Sequence, residues 1–254
     1  MSDITINYKG NAIATMDASG TKTLLTEGKY LEDDVEVVYV KPSGGTDYLV
    51  ERLNGTLTSY ASDDVTKLTP YSFEGNNITT LSLPNCITLD NNALRSRSTL
   101  TSVYFPKVST IGADALNGCS GLTVLVFPSL SSITTRSFSS CTGVVTFDLG
   151  DKYTNGISSN FNSMPITTLI LRKTTIQGIQ NANTLNSAVW GSGGTGGTIY
   201  IPKVLYDHLG DGGSLDYKAA SNWSTINGYG TITWAKIEGS YYETHYADGT
   251  LIPT

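Results

Sequence analysis

From Leu100 onward the apolar positions fall into a fixed frame. LTSVYFPKVSTIGADALNGCSG is followed, from Leu122, by LTVLVFPSLSSITTRSFSSCTG. Leu100 corresponds to Leu122, Val103 to Leu125, Phe105 to Phe127, Pro106 to Pro128, Val108 to Leu130, Ile111 to Ile133, Leu116 to Phe138 and Cys119 to Cys141, a period of 22 residues. One step back, ITTLSLPNCITLDNNALRSRST from Ile78 puts Leu81, Leu83, Pro84, Leu89 and Leu94 in the same places. Steps forward give VVTFDLG from Val144 and ITTLILR from Ile166. A partial copy, LTPYSFEGNN, starts at Leu68, and TIYIP ending at Pro202 reads as a last strand after a longer insertion.

The alternation Leu-x-x-Val-x-Phe predicts a short strand with every second side chain turned inward. The proline after it has no N–H for a ladder and ends the strand. The second half of each unit, I-x-x-x-A-[LF], predicts a loop or short helical turn closing the other side of the coil. One coil cannot bury its own inner face, whereas stacked coils share a continuous core. The predicted fold is therefore mainly β, a right-handed solenoid of 22-residue units over residues 50–205. Leu81, Val103, Leu125, Phe147 and Leu169 should form one buried ladder, and Leu83, Phe105, Phe127, Leu149 and Leu171 a second.

The residue between each inward pair points out, which gives the row Ser82, Tyr104, Val126, Asp148, Ile170 and Tyr200. A face turned only to water should be polar, yet four of these are large apolar or aromatic residues. The row is predicted to bind a partner or a second subunit. The other reading is that the cap or the N-terminal unit folds over this sheet.

The flanks read differently. ITINY, NAIATM, TKTLLT and VEVVYV predict an N-terminal β module of three or four strands over residues 1–41, and KPSGGT, from Lys41 to Thr46, leads into a linker over 42–49. Residues 206–254 should form a C-terminal cap, because the end of a solenoid exposes an open apolar layer. Pro202 to Gly210 and Ser214 to Trp223 read as short helices. ITWAKIEGSYYETHYADGTLI reads as a β hairpin turning at Asp248 and Gly249, with Trp234, Tyr241, Tyr242 and Tyr246 packed on the cap.

The unit L-x-x-[VL]-x-F-P-x-[VL]-x-x-I-x-x-x-[AS]-[LF]-x-x-C resembles the BspA-like leucine-rich repeats of bacterial surface and phage proteins. IYIPKVLYDHL and YKAASNWSTI resemble the segment that closes such arrays, so the likeness covers residues 53–226. It implies a leucine-rich-repeat solenoid used as a recognition scaffold with no fixed ligand. ITINYKGNAIATM with TKTLLTEGKYLEDDVEVVYV is similar to N-terminal segments of tail-associated proteins of phages and prophages of Gram-positive bacteria. That implies a virion protein made in the bacterial cytoplasm, and the trimeric state common among phage fibres. The alternative is a bacterial cell-surface adhesin or interaction protein of the same repeat family, which calls for an export signal or a wall anchor; no LPxTG-like tail occurs.

Composition narrows the partners. Sixteen basic against 22 acidic residues and a pI near 4.8 leave no phosphate-binding footprint, so nucleic acid is not expected. The apolar runs, such as VVYV and LVF, fall far short of the roughly 20 residues that span a bilayer, and MSDITINYKG does not read as a secretory leader. Ser and Thr make up about a quarter of the chain, a bias that suits short strands and turns. The expected partners are a protein or a cell-surface glycan, with homo-oligomerisation left open.

Candidate chemistry is sparse. Cys86, Cys119 and Cys141 are an odd set and read as thiols. Cys119 and Cys141 share a repeat position and, with coils stacked about 4.8 Å apart, either come within bonding range or form a ladder of small buried residues; the ladder is the expectation. His208 and His245 lie in different segments, and no metal-binding spacing is present. GSGGTG at Gly191 to Gly196 matches G-x-G-x-x-G but precedes a strand instead of a helix, so it reads as a loop. No catalytic, cofactor-binding or metal-binding residue is nominated, no cofactor is expected, and the chain is not expected to be an enzyme.

Overall fold

The computed structural model describes residues 4–8, 11–16, 22–24, 27–32, 35–40, 49–53, 58–63, 65–73, 77–153, 164–175, 196–218 and 231–253. The repeats from Ile78, Leu100 and Leu122 each contribute two short strands, and the strands stack into parallel ladders. On one side of the coil run β8 (Lys67–Leu68), β10 (Thr88–Leu89), β12 (Thr110–Ile111) and β14 (Ser132–Ile133). On the other side, β7 (Ser59–Ala61), β9 (Thr80–Ser82) and β11 (Ser102–Tyr104) form one sheet. That side continues as β13 (Val124–Phe127), β15 (Thr146–Leu149), β16 (Thr168–Leu171), β17 (Gly196–Ile201) and β18 (Thr231–Lys236).

The register is the one the 22-residue period dictates. Val103 faces Leu81, Leu125 faces Phe147 and Phe147 faces Leu169; beyond the longer insertion, Leu169 faces Ile199. Both predicted ladders are buried in one core, except that Val103 is only partly covered. The other half of each coil adds Ile111, Leu116, Ile133 and Phe138 from the opposite side.

The hydroxyl-rich composition acquires a role here. Thr101 Oγ1 donates to the Thr79 carbonyl at 3.0 Å, Ser131 Oγ to Ser109 O at 2.9 Å and Thr167 Oγ1 to Val145 O at 3.3 Å, each spanning 22 residues. A hydroxyl at a coil corner thus ties its coil to the carbonyl of the coil before. Close stacking also requires glycine: a Cβ on Gly143 would lie 2.3 Å from Ser120 O and 2.6 Å from Leu122 O, and Gly121 meets the same obstruction one coil earlier.

At the N-terminus five strands form instead of three or four. β1 (Ile4–Tyr8), β2 (Asn11–Met16) and β3 (Lys22–Leu24) make an antiparallel sheet. β4 (Glu27–Glu32) and β5 (Val35–Val40) pair antiparallel, and β5 pairs with β6 (Leu49–Leu53), which runs parallel to β8. The backbone ladder therefore runs from the N-terminal strands into the solenoid across the expected boundary; KPSGGT itself lies outside the described residues. EGKYLE, where Gly28 interrupts the apolar pattern, is the strand that pattern reading misses.

The C-terminal expectations need correction. Pro202 to Gly210 contains only the four-residue helix α1 (Lys203–Tyr206), and 214–218 is a turn; the remainder of the second expected helix lies outside the described residues. ITWAK forms β18, which runs parallel to β17 and is not an arm of a hairpin. Asp248 and Gly249 do turn the chain, with Gly249 at φ +87°, but the hairpin is reduced to one antiparallel bridge between His245 and Leu251.

Candidate interaction face

The outward row falls into two registered runs. Ser82 faces Tyr104 across β9 and β11, while Val126, Asp148, Ile170 and Tyr200 follow one another in register across β13, β15, β16 and β17. Their exposure divides the row in two. Ser82, Val126 and Tyr200 are half-buried and Tyr104 is 39% exposed, whereas Asp148 and Ile170 have no accessible surface. Ile170 is buried without belonging to the main apolar core cluster, as expected of an outward residue covered from above. Asp148 and Ile170 are thus corrected from exposed to covered positions.

The cover is the segment after β18. Arg172, at the end of β16, sends Nε to Asp148 Oδ1 and Nη2 to Asp148 Oδ2, both at 2.7 Å. The same guanidinium donates to the carbonyls of Tyr242 at 2.7 Å and His245 at 2.9 Å, and the Ala247 amide donates to Asp148 Oδ2 at 3.0 Å. The Tyr242 ring meets Tyr200 edge-on at 4.7 Å, and Arg172 lies 4.9 Å over the Tyr246 ring. Burial pushes the Asp148 carboxyl up, opposed by Arg172 and the Ala247 amide. Arg172 escapes a search for catalytic motifs. Its signal was the placement of an arginine on the outward face beside Asp148, since positions 170 and 172 of a strand share a face.

Where the cover ends, a cleft of about 190 Å³ opens between it and the sheet. Tyr104, Pro106 and Val126 form one wall, and Tyr246, Asp248 and Leu251 the other. Leu251 is 71% exposed at its rim.

Asp216 is a second residue that motif reading missed. It is buried and accepts from the amides of Gly210 at 2.8 Å, Gly212 at 3.0 Å and Lys218 at 2.7 Å. Burial would raise this carboxyl, but the three N–H groups hold it below its ordinary value. Its part is to fold the glycine loop of the cap, beside Tyr217, whose ring stacks on Trp234 at 5.6 Å. Trp234 packs there, while Tyr241 is 55% exposed.

The three cysteines are free and buried. Cys119 and Cys141 donate to the carbonyls of Leu94 and Leu116, both at 3.1 Å, in the ladder arrangement. His208 pairs with Asp211 at 2.6 Å, and the His245 ring stacks on Tyr241 at 4.4 Å. Among the described residues no group of three His, Cys, Asp or Glu side chains is placed to hold a metal ion, and no helix is long and apolar enough to cross a membrane. GSGGT of the glycine run lies outside the described residues, and Gly196 opens β17.

No curated protein matches the chain significantly. Among solved structures, a leucine-rich repeat protein from Bacteroides ovatus ATCC 8483 is similar at 13% identity and a TM-score of 0.38, covering 85% of this chain and 80% of that one. The model of the BspA type leucine rich repeat region matches residues 66–186 in six copies. With its 22-residue register and parallel ladders, this stretch is a leucine-rich-repeat solenoid similar to the BspA type.

Proposed function

We propose that the chain is a non-enzymatic recognition module that holds a protein partner against the open half of its sheet face. The observation that carries this reading is the cleft between Tyr104, Val126 and the C-terminal segment, where aromatic and apolar side chains meet on a hydroxyl-rich scaffold. Contiguous apolar surface on a stable scaffold marks contact sites more often than scattered exposed residues do. Of the predicted row, Ser82, Tyr104 and Val126 are the members that meet the partner. A cell-surface glycan is the other ligand class that a tyrosine-lined cleft suits.

The placement we propose is a phage or prophage tail, where the module would face a host surface or a neighbouring virion protein. What supports it is the resemblance of residues 4–40 to tail-associated proteins. The alternative, a bacterial surface adhesin, draws on the repeat family alone.

Binding of the labelled protein to intact host cells, and its sedimentation state, test the proposal. Tyr104→Asp should leave the melting temperature within a few degrees of the parent while lowering binding or self-association at least tenfold. A folded variant that binds and associates as before removes this face from the function.

A further inference from the structure

We infer that residues 241–252 form a strap that opens and closes over the C-terminal half of the sheet face, with Arg172 as its latch. The covered half belongs to the face proposed above for partner binding, but opening is a property of this chain alone and is measurable without a partner.

The first ground is burial. No residue from Tyr241 to Pro253 is buried, so the strap, unlike Trp234 in the strand before it, sends no apolar anchor into the core. Segments that open locally are those with few buried apolar contacts.

The second is that the strap is organised within itself. The Tyr246 amide donates to Thr250 O at 2.8 Å and the Ile252 amide to Thr244 O at 2.9 Å. Asp248 Oδ1 accepts from the Thr250 amide at 3.0 Å and from its hydroxyl at 2.7 Å. Tyr241 stacks on His245. None of these contacts breaks when the unit moves as a body. Ahead of it, Gly239 sits at φ +74° with open space about its Cα, while the Ile237 amide is still tied to Ile201 O at 2.9 Å.

The third is the design of the latch. Both partners of the ion pair, Asp148 and Arg172, belong to the solenoid. Opening therefore leaves no unpaired charge: the fork onto Asp148 stays intact, and water takes over the bonds to Tyr242 O, His245 O and the Ala247 amide. A latch whose charges came from both sides would instead strand one of them, at a large cost. Closed and open forms are each electrostatically complete, as a two-state element requires. Opening uncovers Asp148 and Ile170, which extend the row from Tyr104 and Val126.

Two measurements test this. In hydrogen exchange on the intact chain, the Ala247 amide, which donates to Asp148 across the seam, should exchange at least 100-fold faster than the amides of the 125–147 core. A thiol introduced by Ile170→Cys should be labelled much faster than the solenoid unfolds. Ala247→Pro, which deletes a strap donor and touches neither member of the ion pair, should speed that labelling about tenfold with the solenoid melting temperature unchanged. An Ala247 amide that exchanges only with the core, or a thiol at position 170 labelled only at the global unfolding rate, would overturn the inference. So would an Ala247→Pro variant that leaves labelling unaltered.

Discussion

The ring of Phe147 stands edge-on to that of Phe138, with centroids 5.2 Å apart and planes at 75°. Phe147 comes from strand β15 and Phe138 from the turn half of the preceding coil, so the contact joins the two sides of the solenoid. Phe127 closes the cluster at 5.7 Å from Phe138 and 6.2 Å from Phe147. Three fully buried rings from two adjacent coils make this the aromatic centre of the core.

Phe147→Ala should therefore destabilise the chain by about 3–5 kcal/mol, through lost burial and the cavity left behind. Denaturant unfolding checks this. A loss below about 1 kcal/mol would mean that these coils do not carry the stability of the array.

Two neighbouring positions should respond with opposite signs. The obstruction at Gly143 is backbone, which cannot rotate away, so Gly143→Ala should cost about 2–3 kcal/mol. Ser140 sits at φ +60°, and one coil earlier Gly118 occupies the same place at φ +77°. Ser140→Gly relieves about 1–2 kcal/mol of left-handed strain and gives back part of it in unfolded-state entropy. Thermal melts should show the first variant falling and the second rising by a degree or more.

Asp114 and Arg136 occupy equivalent places in adjacent coils and form a two-pronged pair, with Nη2 to Oδ2 at 2.7 Å and Nε to Oδ1 at 3.1 Å. The Arg136 bond holds the Asp114 carboxyl below its ordinary value near 3.8. Because the folded value lies below the unfolded one, the pair stabilises the fold above that unfolded value, and the stabilisation is lost as pH falls through the folded value. Asp114→Asn should lower stability at neutral pH and flatten the acid limb of the stability curve below about pH 4. Equal acid slopes in parent and variant would remove Asp114 from the acid response.

Burial pushes the thiols of Cys86 and Cys141 up to about 12, and that of Cys119 higher still. The reactive species is the thiolate. A thiol reagent at pH 8 should leave the native chain unmodified and react with three groups once it is denatured. Rapid labelling of native Cys119 or Cys141 would place that turn at the surface.

The sequence by itself determined the solenoid and its register, because a period of 22 residues admits only one stacking in which Leu81, Val103, Leu125, Phe147 and Leu169 share a ladder. It determined equally that Ser82, Tyr104, Val126, Asp148, Ile170 and Tyr200 lie on one outward row, since alternation along a strand is a local property. Only the tertiary structure decided which of them meet water. Asp148 and Ile170 are covered by a segment 70 to 99 residues away, held by the Ala247 amide that donates to Asp148 and by the Tyr242 and His245 carbonyls that accept from Arg172, two residues beyond Ile170. Those bonds are main-chain on the covering side, and a main-chain donor or acceptor is the same whatever the side chain, so the pattern of residues carried no mark of them. The same reason hid β18: ITWAK alternates as either a hairpin arm or a parallel edge strand would, and its pairing with β17 was settled by the end of the stack.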